Sequence, residues 1–185
     1  MTLRIGIAHH FGWAVAVTAG PDHRVVDRRR IELIEPGVAA APIHHEGASL
    51  DDSAVAALVD DVRASAQRAT AVALTGLAAE VPLPIVSLSL RGWPADFPRD
   101  LATLRRPPYE ARADSVTYRE VLADCARDRG WDVRFFEAKD IESRAAEILG
   151  AHAEDVLHGP RAALGPPWNR DHRIALAATV VAAGA

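Results

Sequence analysis

The sequence holds one cysteine, Cys125, among 185 residues, which excludes an internal disulfide and suits a reducing compartment. Cys125 falls on the apolar face of a predicted helix, where it reads as a small core hydrophobe and not as a nucleophile. The longest apolar stretch, residues 174–185, is rich in alanine and too short to cross a bilayer, so no membrane partner is expected. A strand-like pattern begins at Leu3 and leaves no room for a signal peptide, so the expected location is cytoplasmic. Glycine-rich phosphate loops of the GxGxxG or P-loop type are missing, as are the GxSxG elbow and HExxH. Positive charge is not in excess: the formal net charge is −4, so any nucleic-acid binding has to use a local patch. Lys139 is the one lysine among 21 basic residues, leaving 20 arginines. A GC-rich coding sequence accounts for that bias at least as simply as a phosphate-binding surface does.

What is present is a globular balance of 49% hydrophobic and 25% charged residues, enough for one core over residues 1–185 as a single domain. Leu3, Ile5 and Ile7 alternate with Arg4, Gly6 and Ala8, the period of a strand. His9-His10-Phe11-Gly12 interrupts the pattern, which resumes over residues 13–18, and residues 24–34 read as a third strand. Short connections make these three an antiparallel meander. After a loop over residues 36–48, Ser49-x-x-Asp52 fits a capping box for a long helix with Val55, Leu58, Val59, Val62, Ala66 and Ala69 on one face. Residues 85–90 form a short apolar run, a buried fourth strand. Residues 91–112 are rich in proline and arginine and read as irregular apart from a turn of helix near Leu101. Asp114 or Ser115 is placed to cap the next helix, and residues 132–136 form the fifth strand. Asp140 opens another helix, a Gly-Pro loop covers residues 159–168, and Asn169 or Asp171 caps an alanine-rich last helix. Helices between the later strands imply parallel crossovers, so the expected class is α/β with a mixed five-stranded sheet flanked by helices.

Three phrases, in order, resemble the ribonuclease H-like superfamily, and within it the RuvC-type Holliday junction resolvases. Residues 4–15, Arg-Ile-Gly-Ile-Ala-His-His-Phe-Gly-Trp-Ala-Val, are similar to the family's opening "Gly-Ile-Asp-x-Gly" strand. Residues 118–133 and 136–141 resemble its middle helix, strand and "Pro-x-x-Val-Lys" region. Asp171-His172-Arg173-Ile174-Ala175-Leu176-Ala177 resembles its closing "Asp-Ala-x-Ala-Leu-Ala" helix. The resemblance implies a ribonuclease H-like fold and a nuclease ancestry in which carboxylates hold two divalent ions for phosphoryl transfer. Here the first-strand aspartate matches Ala8, unless the match is displaced by one and His9 takes its place. The fourth strand reads Ser87-Leu88-Ser89-Leu90 where the family has a glutamate, and Asp171 alone remains. Two-metal nuclease chemistry is therefore not expected.

Two constellations remain as candidates. The pairs His9-His10 and His44-His45, with Glu46, follow strands that run parallel to each other. In the resembled fold the last helix starts at the same edge, adding Asp171 and His172. Imidazoles with a carboxylate suit zinc, manganese or iron, so these seven residues are a candidate transition-metal site. Adjacent histidines on a strand point to opposite faces, so at most one of each pair can contribute. The second constellation is Arg91, Trp93, Arg99, Arg105, Arg106, Tyr109 and Arg112, arginines interleaved with aromatics that can grip phosphates and stack on bases. The bland alternative is that Trp93, Phe97 and Tyr109 pin a long loop to the core. Arg161 and the Gly165-Pro166-Pro167-Trp168 loop form a lesser candidate, with Trp168 read as a packing anchor, and Arg28-Arg29-Arg30 reads mostly as a solvated face. The reading that follows is a catalytically degraded ribonuclease H-like domain that binds nucleic acid. Its rivals are a histidine-rich metal-dependent phosphodiester hydrolase and a structural protein forming a homodimer through its last helix or a sheet edge.

Overall fold

Alternation along the first strand decides which residues can reach a site at its end. A computed structural model describes residues 1–137 and 139–184; Ala138, within the phrase 136–141, and Ala185, at the end of the last apolar stretch, lie outside the described residues. In chain order the elements are β1 (Leu3–His9), β2 (Trp13–Ala19), β3 (Val25–Glu32), α1 (Asp52–Glu80), β4 (Ile85–Arg91), α2 (Leu101–Leu104), α3 (Glu110–Arg127), β5 (Asp132–Phe136), α4 (Ile141–Leu149), α5 (Ala153–Leu157), α6 (Pro160–Leu164) and α7 (Arg170–Ala183). The sheet order is β3-β2-β1-β4-β5. β1 pairs antiparallel with β2, and β2 with β3, while β4 lies parallel to β1 and to β5. This is the expected mixed five-stranded α/β sheet.

Each face of the sheet has its own core. Ile5 and Ile7 of β1 pack with Leu74 and Leu77 of α1, Leu88 and Leu90 of β4, and Tyr118 and Leu122 of α3. Ala8 points the other way, into a cluster with Val15, Val17, Trp168 and the alanines of α7. The helix backbone rests directly on the strand there: a Cβ at Gly6 would lie 1.8 Å from the carbonyl oxygen of Ala175. Glycine on the strand and alanine on the helix are what allow that approach. Gly12, at φ +77°, supplies the left-handed residue between β1 and β2.

Local chemistry explains where the elements depart from expectation. Asp51, not Ser49, caps α1, its carboxylate accepting from the Ala54 amide at 2.9 Å. α3 begins at Glu110, ahead of the expected caps, because the Asp114 carboxylate is engaged elsewhere, on the amides of Ile43 and His44. Those amides belong to a single wide helical turn, Pro42–Glu46, within the expected loop. The segment expected as a loop over residues 159–168 contains α6, and α5 lies just before it. Arg28 holds this region by donating to the carbonyls of Leu164, Gly165 and Pro167. Within the arginine run on β3, Arg30 is solvated as read, but Arg28 and Arg29 are half-buried and structural. Arg28 serves the α7 side, and Arg29 turns to Asp27 and to Glu80 at the end of α1. Trp168 is buried and donates from Nε1 to the Leu157 carbonyl at 2.9 Å, a packing anchor as read. Asn169 caps α7.

Candidate functional site

Ala8 and His10 share the face of β1 that looks toward α7, and His9 looks toward α3. His10 stands beyond the last residue of β1, where its Nε2 meets Asp171 Oδ2 at 3.1 Å. Asp171 is in the first turn of α7, so the carboxylate comes from the start of the last helix, as expected. The His10 ring stacks on Trp13 at 4.1 Å with 12° between planes, and the Arg30 guanidinium lies 4.1 Å from the Trp13 ring centre. Both members of the pair reach solvent, His10 with 42% and Asp171 with 25% of the side chain exposed.

His9 has a different setting. Its Nε2 lies 2.9 Å from Ser115 Oγ on α3. Arg119, one turn further, is buried; it donates from Nε to the Ser115 carbonyl at 3.0 Å and from Nη1 to the Gly92 carbonyl at 2.7 Å. Its Nη2 reaches Ser115 Oγ at 3.4 Å. Burial, then the charges of Arg119, His10 and Arg91, push His9 down to about 3, so it is neutral at pH 7. Burial, with Arg91 and Arg112 nearby, brings Arg119 down to about 10, still protonated. His9, His10, Phe11 and Ser115 line a cleft of about 200 Å³ that opens beside these groups.

Of the seven proposed metal ligands, His10 and Asp171 meet and the others do not join them. His9 turns to Ser115. His44 and His45 pack ring to ring at 4.4 Å in the turn against α3, and His44 Nδ1 is buried without a hydrogen-bond partner. The Glu46 carboxylate accepts from the amides of Ala40 and Ala41. His172 is buried and folds back on Asn169, completing the capping box of α7. Among the described residues no three His, Cys, Asp or Glu side chains are grouped to hold an ion. The convergence fails because the turn at Pro42–Glu46 is drawn onto α3 by Asp114, whose carboxyl burial holds above its usual range.

The Arg/aromatic segment divides into anchors and free cations. Trp93 packs edge-on against Phe135, and Phe97 against Tyr109, so these rings pin the loop. Arg105 is structural, bonding the Asp52 carboxylate and the Leu50 carbonyl at the start of α1. Arg91, Arg99, Arg106 and Arg112 are exposed, and among the described residues none of them enters an ion pair. Arg112 rests over Phe97, 5.7 Å from its centre.

No family model matches the chain, and no curated protein does. Among solved structures, the chain is similar to RuvC of T. thermophilus in complex with a Holliday junction substrate. The TM-score is 0.53 at 11% identity, over 97% of this chain and 91% of that one. The fold is ribonuclease H-like. In this ribonuclease H-like sheet the donor set does not fit the two-metal centre that the resemblance implies. Ala8 carries no ligand, Ser87 and Ser89 stand where the glutamate is expected, Asp171 is already on His10, and among the described residues no three His, Cys, Asp or Glu side chains are grouped to hold an ion. Single hard oxygens do not hold a pair of Mg²⁺ ions. Read from the sequence, Ser115 has only a capping role and Arg30 only a place on a solvated face, and no site role falls to Arg119 or Trp13. Arg119 had a visible signal, a charge on the apolar face shared by Leu122 and Ala126; Ser115 had none.

Proposed function

We propose that this domain binds nucleic acid at the C-terminal edge of its sheet and has given up the two-metal chemistry of its fold. The observation that carries the reading is a set of exposed arginines that form no ion pair among the described residues, Arg91, Arg99, Arg106 and Arg112, gathered on the segment that leaves β4 and enters α3. Arg91 and Arg112 lie close enough to Arg119 to help lower its basicity, so positive charge accumulates there despite the net charge of −4. Phosphate oxygens are the natural counter-charge for such a group, and guanidinium forks suit them. Of the acidic residues in the segment, Asp100 caps α2 through the Thr103 amide, with Arg106 nearby. The neighbouring fold solved with a Holliday junction substrate supports the choice of ligand class.

The test is fluorescence anisotropy with a labelled four-way DNA junction and a duplex of the same length, at low salt. The wild type is expected to bind, and the double variant Arg91→Gln/Arg112→Gln to bind at least tenfold more weakly. That is about 1.4 kcal/mol, within the range of losing two phosphate contacts. Equal binding by the two proteins, or no binding by the wild type, contradicts the proposal. A companion double variant, Arg28→Gln/Arg129→Gln, removes arginines that serve backbone carbonyls, and loss of affinity in it alone points to the fold and not to the interface.

A further inference from the structure

Ser115 Oγ lies 2.9 Å from His9 Nε2 and 3.4 Å from Arg119 Nη2, and a guanidinium can only donate to it. In the tautomer of neutral His9 that carries its ring hydrogen on Nδ1, Nε2 accepts the serine hydroxyl hydrogen. A serine whose hydroxyl points into a neutral imidazole is the resting arrangement of an activated nucleophile. The cleft lined by His9, His10, Phe11 and Ser115 gives a ligand access to it. His10, across the same cleft, is oriented by Asp171.

We propose that Ser115 is a nucleophile toward phosphodiesters, with His9 as its base and His10 as the acid for the leaving group, without metal. The proposal deepens the nucleic-acid reading, since it takes the substrate to be the phosphodiester gathered at this edge. Ser115 gives its hydroxyl proton to His9 Nε2 as the Oγ–P bond forms. The P–O bond to the leaving alcohol breaks with its electron pair on oxygen, which takes a proton from His10. The products are a serine-linked phosphodiester and a free hydroxyl, and reversal or attack by water returns Ser115. Arg119 Nη2 lies 3.4 Å from Ser115 Oγ, and Arg91 and Arg112 stand near Arg119 for the phosphate. His9 is a weak base before substrate arrives, because Arg119, His10 and Arg91 oppose its protonation. A phosphodiester anion seated among those cations offsets them, so His9 becomes more basic once substrate is bound.

The test uses bis(4-nitrophenyl) phosphate with the full chain in EDTA, followed by intact mass and peptide mapping. The wild type is expected to release 4-nitrophenolate and to gain one nitrophenyl phosphoryl group on Ser115. Nitrophenolate leaves without an acid, so the reading isolates Ser115 and His9. His9→Gln should react on the order of a hundredfold more slowly, and Ser115→Ala should gain no adduct. Peptide mapping of the wild type needs no variant to fold. An unmodified Ser115, or a His9→Gln protein reacting at the wild-type rate, overturns the proposal. A protein that binds the DNA junction but takes no adduct defeats this inference alone; one that takes the adduct but binds no nucleic acid defeats the earlier reading alone.

Discussion

Replacing His9 by glutamine keeps a group able to bond Ser115 but removes a site whose protonation the folded protein opposes. In the folded state His9 titrates at about 3, against 6.5 for an unperturbed imidazole. Between those values the unfolded chain takes up a proton that the folded chain refuses, so folding stability falls as the pH drops. The slope approaches about 1.4 kcal/mol per pH unit, and integrating from pH 7 to pH 4 gives about 3 kcal/mol from this residue. His23 and His172 are also held below their ordinary value and act in the same direction, while the raised carboxyl of Asp114 acts in the opposite one. All three remain in the variant, so the difference between proteins isolates His9. Urea unfolding of wild type and His9→Gln at pH 7 and pH 4 measures it. The wild type is expected to lose about 3 kcal/mol more than the variant over that interval. Parallel losses would refute the view that His9 is half-buried, neutral and pressed by Arg119.

Gly6→Ala sets a methyl against the Ala175 carbonyl and forces α7 off β1, so urea unfolding should show a loss of about 1–3 kcal/mol or more; an unchanged midpoint refutes the close approach. Asp51→Ala should cost about 1 kcal/mol as a lost cap, whereas Ser49→Ala should leave stability unchanged. Asp114→Ala strips the partner from the Ile43 and His44 amides and should cost about 2 kcal/mol or more by chemical denaturation; a loss under about 0.5 kcal/mol would show that water satisfies both groups.

Period-2 alternation over Leu3–Ile7 and the order of strands and helices made the mixed sheet legible, because those signals are local and the crossover rules are few. The alanines of α7 announced close packing, and Gly6 is the complementary signal on the strand. Other features depend on contacts far apart in sequence. His9 and Ser115 are separated by 106 residues, and nothing in either segment names the other. His44 and His45 were placed with His10 because their strands end at one edge, yet Asp114 bonds the backbone of their turn and holds it on α3. Arg28 looked like part of a charged surface; three carbonyls of the loop before α7 give it a fixed structural role. Asp171 was legible because helix starts have fixed positions in this topology. Its partner His10 was legible only as one of a pair until alternation on β1 chose between them.

The most direct test of the central claim is the salt dependence of binding to the labelled DNA junction. Four arginines on phosphates, Arg91, Arg99, Arg106 and Arg112, imply that log K falls with log salt at a slope of about −3 to −4. Each arginine replaced by glutamine should reduce that slope by about one. A slope near zero, or one unchanged by all four substitutions, would contradict a cationic nucleic-acid interface at this edge.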